Sequence, residues 1–150
     1  MSSVKISIYR KVSFSSAHFL YSKHFDHTAN EQIYGSCSHR AGHGHNYRLT
    51  VTLEGPVNVK TGMLFNLRDL DAALTKVISD VDHKNLNVDV KFFKDRVSTV
   101  ENLVLYMFAR LDGIIGNRLV SEIRIEETDT FGATLRRQEY DNYMSMEHSN

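Results

Sequence analysis

Three histidines have the spacing of a metal site. In His43-Gly44-His45 the two imidazoles are separated by a residue with no side chain. Side chains alternate along a strand, so both rings share a face. The same parity continues through Tyr47, Leu49 and Val51, which makes that face apolar. His18 shares the parity of Val12 and Phe14, provided the first strand runs through it without a bulge. Three rings are then aimed into apolar surroundings, where an unsatisfied polar group costs about 1–3 kcal/mol. A divalent cation would satisfy all three together. Three neutral histidines with one position left open are the donor set of a catalytic zinc ion. A structural zinc site would usually need a fourth protein ligand and more cysteines than the one in this chain. The competing reading is three core or surface histidines bonded to backbone groups, the commoner fate of a lone histidine.

Other reactive side chains lie near these in sequence. Cys37 precedes His43 in a glycine-containing segment. A dication nearby would favour its thiolate, which could act as nucleophile, ligand or general base. Without one, it is a small buried hydrophobe. Asp82-His83 places a carboxylate where it can orient an acid–base imidazole. Glu127 shares the parity of Ile123 and Ile125, so its carboxylate faces the apolar side. There it could accept two adjacent N–H donors of a guanidine-like edge, although a strand end can also simply meet water. Arg10-Lys11-Val12-Ser13 has the form of a basophilic kinase site, but basic residues flanking a strand are commonly just solvated.

The elements that must hold these groups follow from periodicity. Residues 4–14 alternate as a strand, and so do residues 45–54. Residues 15–42 are polar, glycine-containing and histidine-rich, which predicts a long functional loop. Asn66 can cap a helix whose apolar positions are Leu67, Leu70, Leu74, Val77, Ile78 and Val81. A second helix starts at Ser98, whose spacing to Glu101 is that of a capping box, and ends at Gly113 and Gly116. Two more strands, near 119–127 and 131–138, are joined at Asp129. The order of elements predicts an α+β domain, a four-stranded antiparallel sheet with two helices packed on one face. Residues 1–140 form the single domain. The tail 141–150 is polar and without pattern, which predicts a mobile terminus.

Composition narrows the functional classes. With 150 residues the chain is one domain of ordinary size. Eighteen basic and eighteen acidic residues balance, which argues against electrostatic capture of nucleic acid or an anionic membrane. One cysteine cannot make an intrachain disulfide. No apolar run is long enough to span a bilayer, and the N-terminus lacks the apolar stretch of a signal peptide. The expected setting is cytoplasmic.

With these residues in view, the sequence resembles the 6-pyruvoyl-tetrahydropterin synthase family. The blocks that carry the resemblance are Phe14-Ser-Ser-Ala-His18, Cys37-Ser-His-Arg-Ala-Gly-His43-Gly-His45-Asn46-Tyr47, Thr61-Gly-Met63, Asn66-Leu67, Val81-Asp82-His83-Lys84-Asn85-Leu86, Val97-Ser-Thr-Val-Glu101-Asn102 and Glu126-Glu127-Thr128. The resemblance implies the tunnelling fold, in which trimers close a barrel and two trimers stack, with active sites at subunit interfaces. It implies one Zn2+ per subunit on His18, His43 and His45, and leaves room for Mg2+ alongside a triphosphate. It makes Cys37 the proton acceptor, Asp82 and His83 the proton-transfer pair, and Glu127 the anchor of the pterin ring with Ser98, Thr99 and Glu101 close by. The implied reaction converts 7,8-dihydroneopterin triphosphate to 6-pyruvoyl-tetrahydropterin in tetrahydrobiopterin synthesis.

The five residues between Cys37 and His43 favour that reaction over the related 6-carboxy-tetrahydropterin synthases of queuosine synthesis. The same residues would also suit a dihydroneopterin-cleaving relative, or a non-catalytic, zinc-stabilised pterin-binding protein. The chain departs from the family pattern in two places, in Phe131-Gly-Ala-Thr-Leu-Arg-Arg137 with its added tail and in the Cys37-Ser-His-Arg-Ala loop. Both bear on the edge of the substrate site more than on the chemistry.

Overall fold

A computed structural model describes residues 4–149. Strand β1 (Lys5–His18) is followed by helix α1 (His27–Tyr34), strand β2 (His43–Pro56) and helix α2 (Leu67–Ile78). A two-residue strand β3 (Lys84–Asn85) and the short helix α3 (Leu86–Asp89) precede the long helix α4 (Val100–Ile115). Strands β4 (Val120–Glu126) and β5 (Gly132–Arg136) and helix α5 (Arg137–Glu147) complete the order. The sheet order is β3-β1-β2-β4-β5. All neighbours are antiparallel except β1 and β3, which are parallel.

The α+β expectation of two helices on one sheet face holds, but the sheet is five-stranded and mixed rather than four-stranded and antiparallel. The extra strand is too short to carry a periodicity. It forms because His83 takes a left-handed backbone (φ 57°) and its N–H donates to the Ser15 carbonyl at 2.7 Å, laying Lys84 and Asn85 beside Ser16 and Ala17. Residues 15–42 are more ordered than a loop. β1 runs on to His18, Asp26 caps α1 by accepting the Ala29 N–H, and a 3-10 turn spans Gly35–Ser38. Residues 141–147, expected to be mobile, are helical. Tyr140 of α5 is buried and stacks on Phe108 at 4.3 Å, and Arg137 pairs with Asp112. No helix among the described residues is long and apolar enough to cross a membrane.

One core lies between the sheet and α2 with α4. Tyr47, Leu49, Val51 and Leu53 of β2 and Ile123 and Ile125 of β4 are fully buried there, against Leu70, Leu74 and Val77 of α2 and Leu103, Met107 and Leu111 of α4. These are the period-two and 3.6-residue positions of the sequence pattern. Asn66 caps α2 as expected, accepting the Arg68 N–H at 2.9 Å. The α4 cap is Thr99, not Ser98. Gly113 lies within α4, and Gly116 (φ 72°) closes it. Arg10 of β1 pairs with Asp71 of α2 at 2.8 Å.

The turn after β4 fixes the backbone of Glu127, whose N–H donates to the Phe131 carbonyl at 2.9 Å. Gly132 then pairs with Glu126, and a methyl group there would lie 2.2 Å from the Ile125 carbonyl oxygen. That neighbour is backbone and cannot swing away. Gly132→Ala is therefore expected to destabilise the fold by about 1–3 kcal/mol, the usual cost of overpacking. Thermal or chemical denaturation checks this; an unaltered midpoint would mean that the strands part without cost.

Candidate metal centre and active site

The β1–β2 ladder sets His18 directly opposite His43, with His45 opposite Ser16. One coordinating nitrogen from each of His18, His43 and His45 lies within 4.8 Å of the others. The His18 and His43 Nε2 atoms are only 3.0 Å apart. The first strand continues through His18 as expected, and the three rings converge at its end.

His18 is 1% exposed. Its Nδ1 lies 2.6 Å from the Ser98 carbonyl, which can only accept, so Nδ1 carries the proton and Nε2 presents a lone pair. A second contact of this kind is what orients a metal-ligating histidine. Burial lowers the His18 pKa to about 4, against the Ser98 contact and with the help of His43 and His45. Burial, then His45, also lowers His43. Both shifts favour the neutral ring, the form that binds metal.

Glu127 joins the cluster from the other edge. Its Oε1 lies 3.0 Å from His45 Nε2 and 3.8 Å from His18 Nε2. The His45 contact is within ion-pair distance but not aligned as a hydrogen bond, and His45 Nε2 is buried without a hydrogen-bond partner. The two groups are thus close without being bonded, which leaves that nitrogen available to a cation. Burial raises the Glu127 pKa; His45 opposes the rise and Glu101 adds to it. Beneath the rings, Tyr47 stacks on Phe14 at 5.0 Å, and its hydroxyl is also buried without a partner. Burial, then Glu127, pushes that hydroxyl above the ordinary tyrosine range. A converging set of neutral imidazoles with an orphaned nitrogen fits a divalent metal.

The remaining expected residues are placed less tightly. Cys37 is half-buried in the 3-10 turn, where its carbonyl accepts the Leu20 N–H at 2.7 Å. It is not grouped with the three histidines. Asp82 accepts the Ser15 N–H at 2.8 Å and lies 2.9 Å from His83 Nδ1. The Ser15 N–H, then His83, holds the Asp82 carboxyl below its usual range. The His83 side chain is 84% exposed and lines a cleft of about 460 Å3 with Ser15, Ala17, Gly44 and Asn46, which also touches His45. Thr99 is spent on the helix cap, and Glu101 sits in the first turn of α4. Ser98 is buried and its hydroxyl donates toward the Phe19 carbonyl and Asn87 Oδ1, both at 3.1 Å.

Asn87 has no signal in the sequence. Its side chain accepts the Phe19 N–H and donates to the Phe19 carbonyl, both at 2.9 Å. It thereby ties the residue after His18 to the segment that orients His18. In Leu86-Asn87-Val88-Asp89-Val90 it takes a polar place in an alternating run, which in sequence reads as a solvent-facing position and not as a tie to Phe19.

Residues 7–138 match the family described as 6-pyruvoyl tetrahydropterin synthase. The 6-pyruvoyl tetrahydrobiopterin synthase of Poecilia reticulata is 44% identical over 123 residues, 81% of this chain and 84% of that protein. The protein of the same name from Homo sapiens is 40% identical over 121 residues, 80% of this chain and 83% of its own length. The structure of Caenorhabditis elegans 6-pyruvoyl tetrahydropterin synthase superposes with a TM-score of 0.88 at 37% identity, covering 91% of this chain and 98% of that one. The Plasmodium vivax synthase, at 21% identity and a TM-score of 0.64, shares the fold. On its sequence, its fold and its histidine cluster alike, this chain belongs to the 6-pyruvoyl tetrahydropterin synthase family.

Proposed function

We propose that this chain is a Zn2+-dependent lyase that converts 7,8-dihydroneopterin triphosphate to 6-pyruvoyl-tetrahydropterin with release of inorganic triphosphate, in the cytoplasm. The observation that carries the reading is the convergence of His18, His43 and His45 with the Glu127 carboxylate at one end of the inner sheet face. The metal would supply Lewis acidity toward the oxygens of the substrate side chain. Glu127 offers a half-desolvated carboxylate to adjacent N–H donors, and those donors would offset the burial that raises its pKa. With the pterin edge held there, the side chain of the substrate reaches the histidine end.

Cys37 removes a carbon-bound proton beside the ring. His83, oriented by Asp82, returns protons as the double bonds shift and triphosphate departs. The exposure of His83 supports a site finished by a second copy of the chain. The sheet ends on β3 and β5, strands free to pair or to be covered, which supports closure of trimers, alone or stacked in pairs. Glu101 acts on Glu127 from the first turn of α4, which Thr99 caps, while Ser98 contributes through its carbonyl on His18.

Turnover of 7,8-dihydroneopterin triphosphate by the purified protein, with the products identified by mass spectrometry, tests the reading. Release of glycolaldehyde or acetaldehyde in place of triphosphate would instead indicate a neopterin-cleaving relative. Cys37→Ala is expected to lower turnover by about 10²–10⁴-fold, the worth of one general-base step, while zinc content is retained. Full activity in that variant would remove Cys37 from the chemistry. His45→Ala is expected to lose metal and activity together. Unchanged zinc in that variant by elemental analysis would contradict the ligand role.

A further inference from the structure

The cleft of about 460 Å3 that touches His45 and His83 has one lining lysine, Lys84, and no arginine. The carboxylates at the histidine cluster are Glu127, beside His18 and His45, and Glu101, whose charge acts on Glu127. The chain as a whole is also balanced in charge. Its cations are not evenly spread, however. A cleft of about 580 Å3 is lined by Lys23, Arg40, Lys94 and Arg96, and Asp95 is its one lining carboxylate.

The cations elsewhere on the sheet are mostly paired: Arg10 with Asp71, Arg48 with Glu126 and Asp129, Arg136 with Glu122. In the cleft, Lys23 meets Asp95 at 2.8 Å and Arg96 reaches Glu147 at 3.3 Å. Among the described residues, neither Arg40 nor Lys94 has a carboxylate within ion-pair distance. The Arg40 guanidinium lies 4.3 Å from the Tyr21 ring and 5.8 Å from that of Phe19. Stacking of this kind holds the plane of the group and leaves its N–H edges free for a bidentate contact.

The cleft also borders the segments that orient His18. Phe19, which follows His18, and Val97, which precedes Ser98, both line it. Asn87, a third lining residue, links Phe19 to Ser98 through its side chain. One wall of the cleft is therefore the back of the scaffold that orients His18.

We infer that this cleft seats the triphosphate tail of the substrate, with Arg40 and Lys94 in direct contact and Lys23 and Arg96 at its flanks. The inference rests on the reaction proposed above, but its test does not depend on turnover. Inorganic triphosphate, titrated into the zinc-loaded protein by calorimetry, is expected to bind and to weaken with added salt. In the double variant Arg40→Ala, Lys94→Ala that binding should fall by at least about tenfold, because charge-assisted contacts to phosphate are lost. Zinc content and the binding of unphosphorylated dihydroneopterin should stay at wild-type levels. Arg40→Lys with Lys94→Arg, which keeps both charges, should recover most of the affinity and show that the alanine variant failed by charge and not by misfolding. No binding to wild type, or equal binding to wild type and the alanine variant, overturns the assignment. Normal turnover alongside either result would sink the cleft and spare the proposed reaction. Binding through Arg40 and Lys94 without turnover would do the reverse.

Discussion

The register of β1 against β2 is the constraint on which the site depends. His18 stands opposite His43 because fourteen consecutive residues of one strand pair with fourteen of the other, from Lys5–Pro56 to His18–His43. A slip of one residue would turn every side chain of a strand to the other face. Phe14, Tyr47, Leu49, Val51 and Leu53 resist that slip, since all are buried in the core in the present register. The apolar core thus sets the positions of three polar rings that lie beyond its edge. The metal site extends the same alternation that builds the core, with the Ser98 carbonyl turning the His18 ring.

That economy gathers groups that carry an electrostatic cost unless a cation sits among them. Three imidazoles, a carboxylate and a tyrosine hydroxyl are crowded together, and two of their polar atoms find no hydrogen-bond partner. Burial depresses His18 and raises Glu127, so each group is pushed toward its neutral form. Removing polar groups from water without compensation disfavours folding, and the surrounding core must outweigh it. A cation placed among the nitrogens would reverse the sign of several of these effects together. It would favour the ionised Glu127 and give the orphaned His45 Nε2 a partner.

What could be read in the sequence was what repeats. The two long strands, the faces of α2 and α4, and the shared orientation of His18, His43, His45 and Glu127 all follow from spacing, and the structure has them. What escaped was local and depends on tertiary contacts. Ser98 and Glu101 have the spacing of a capping box, yet burial commits the Ser98 hydroxyl to Phe19 and Asn87 and hands the cap to Thr99. β3 exists through one left-handed residue and one hydrogen bond to Ser15. α5 looks featureless in sequence because its anchoring is concentrated in Tyr140 on Phe108 and Arg137 on Asp112. One aromatic and one arginine make no periodic pattern.

The distribution of charge completes the physical picture. A site that takes a flat, N–H-rich ring and a polyanionic tail in one molecule has opposite demands at its two ends. The ring end wants a desolvated carboxylate, and a cation beside it would quench that carboxylate by pairing. The tail end wants unpaired cations, and a carboxylate there would quench them in the same way. Here Glu127 sits with the histidines and, among the described residues, has no lysine or arginine within ion-pair distance. Arg40 and Lys94 lie across the His18–Ser98 wall with no carboxylate within ion-pair distance among those residues, Asp95 of the same cleft being paired with Lys23. Asn87, uncharged and hydrogen-bonded to both sides, is suited to the boundary because it ties the two regions together without adding charge to either. Overall neutrality of the chain therefore hides two local imbalances of opposite sign, kept apart by one strand end and a neutral amide.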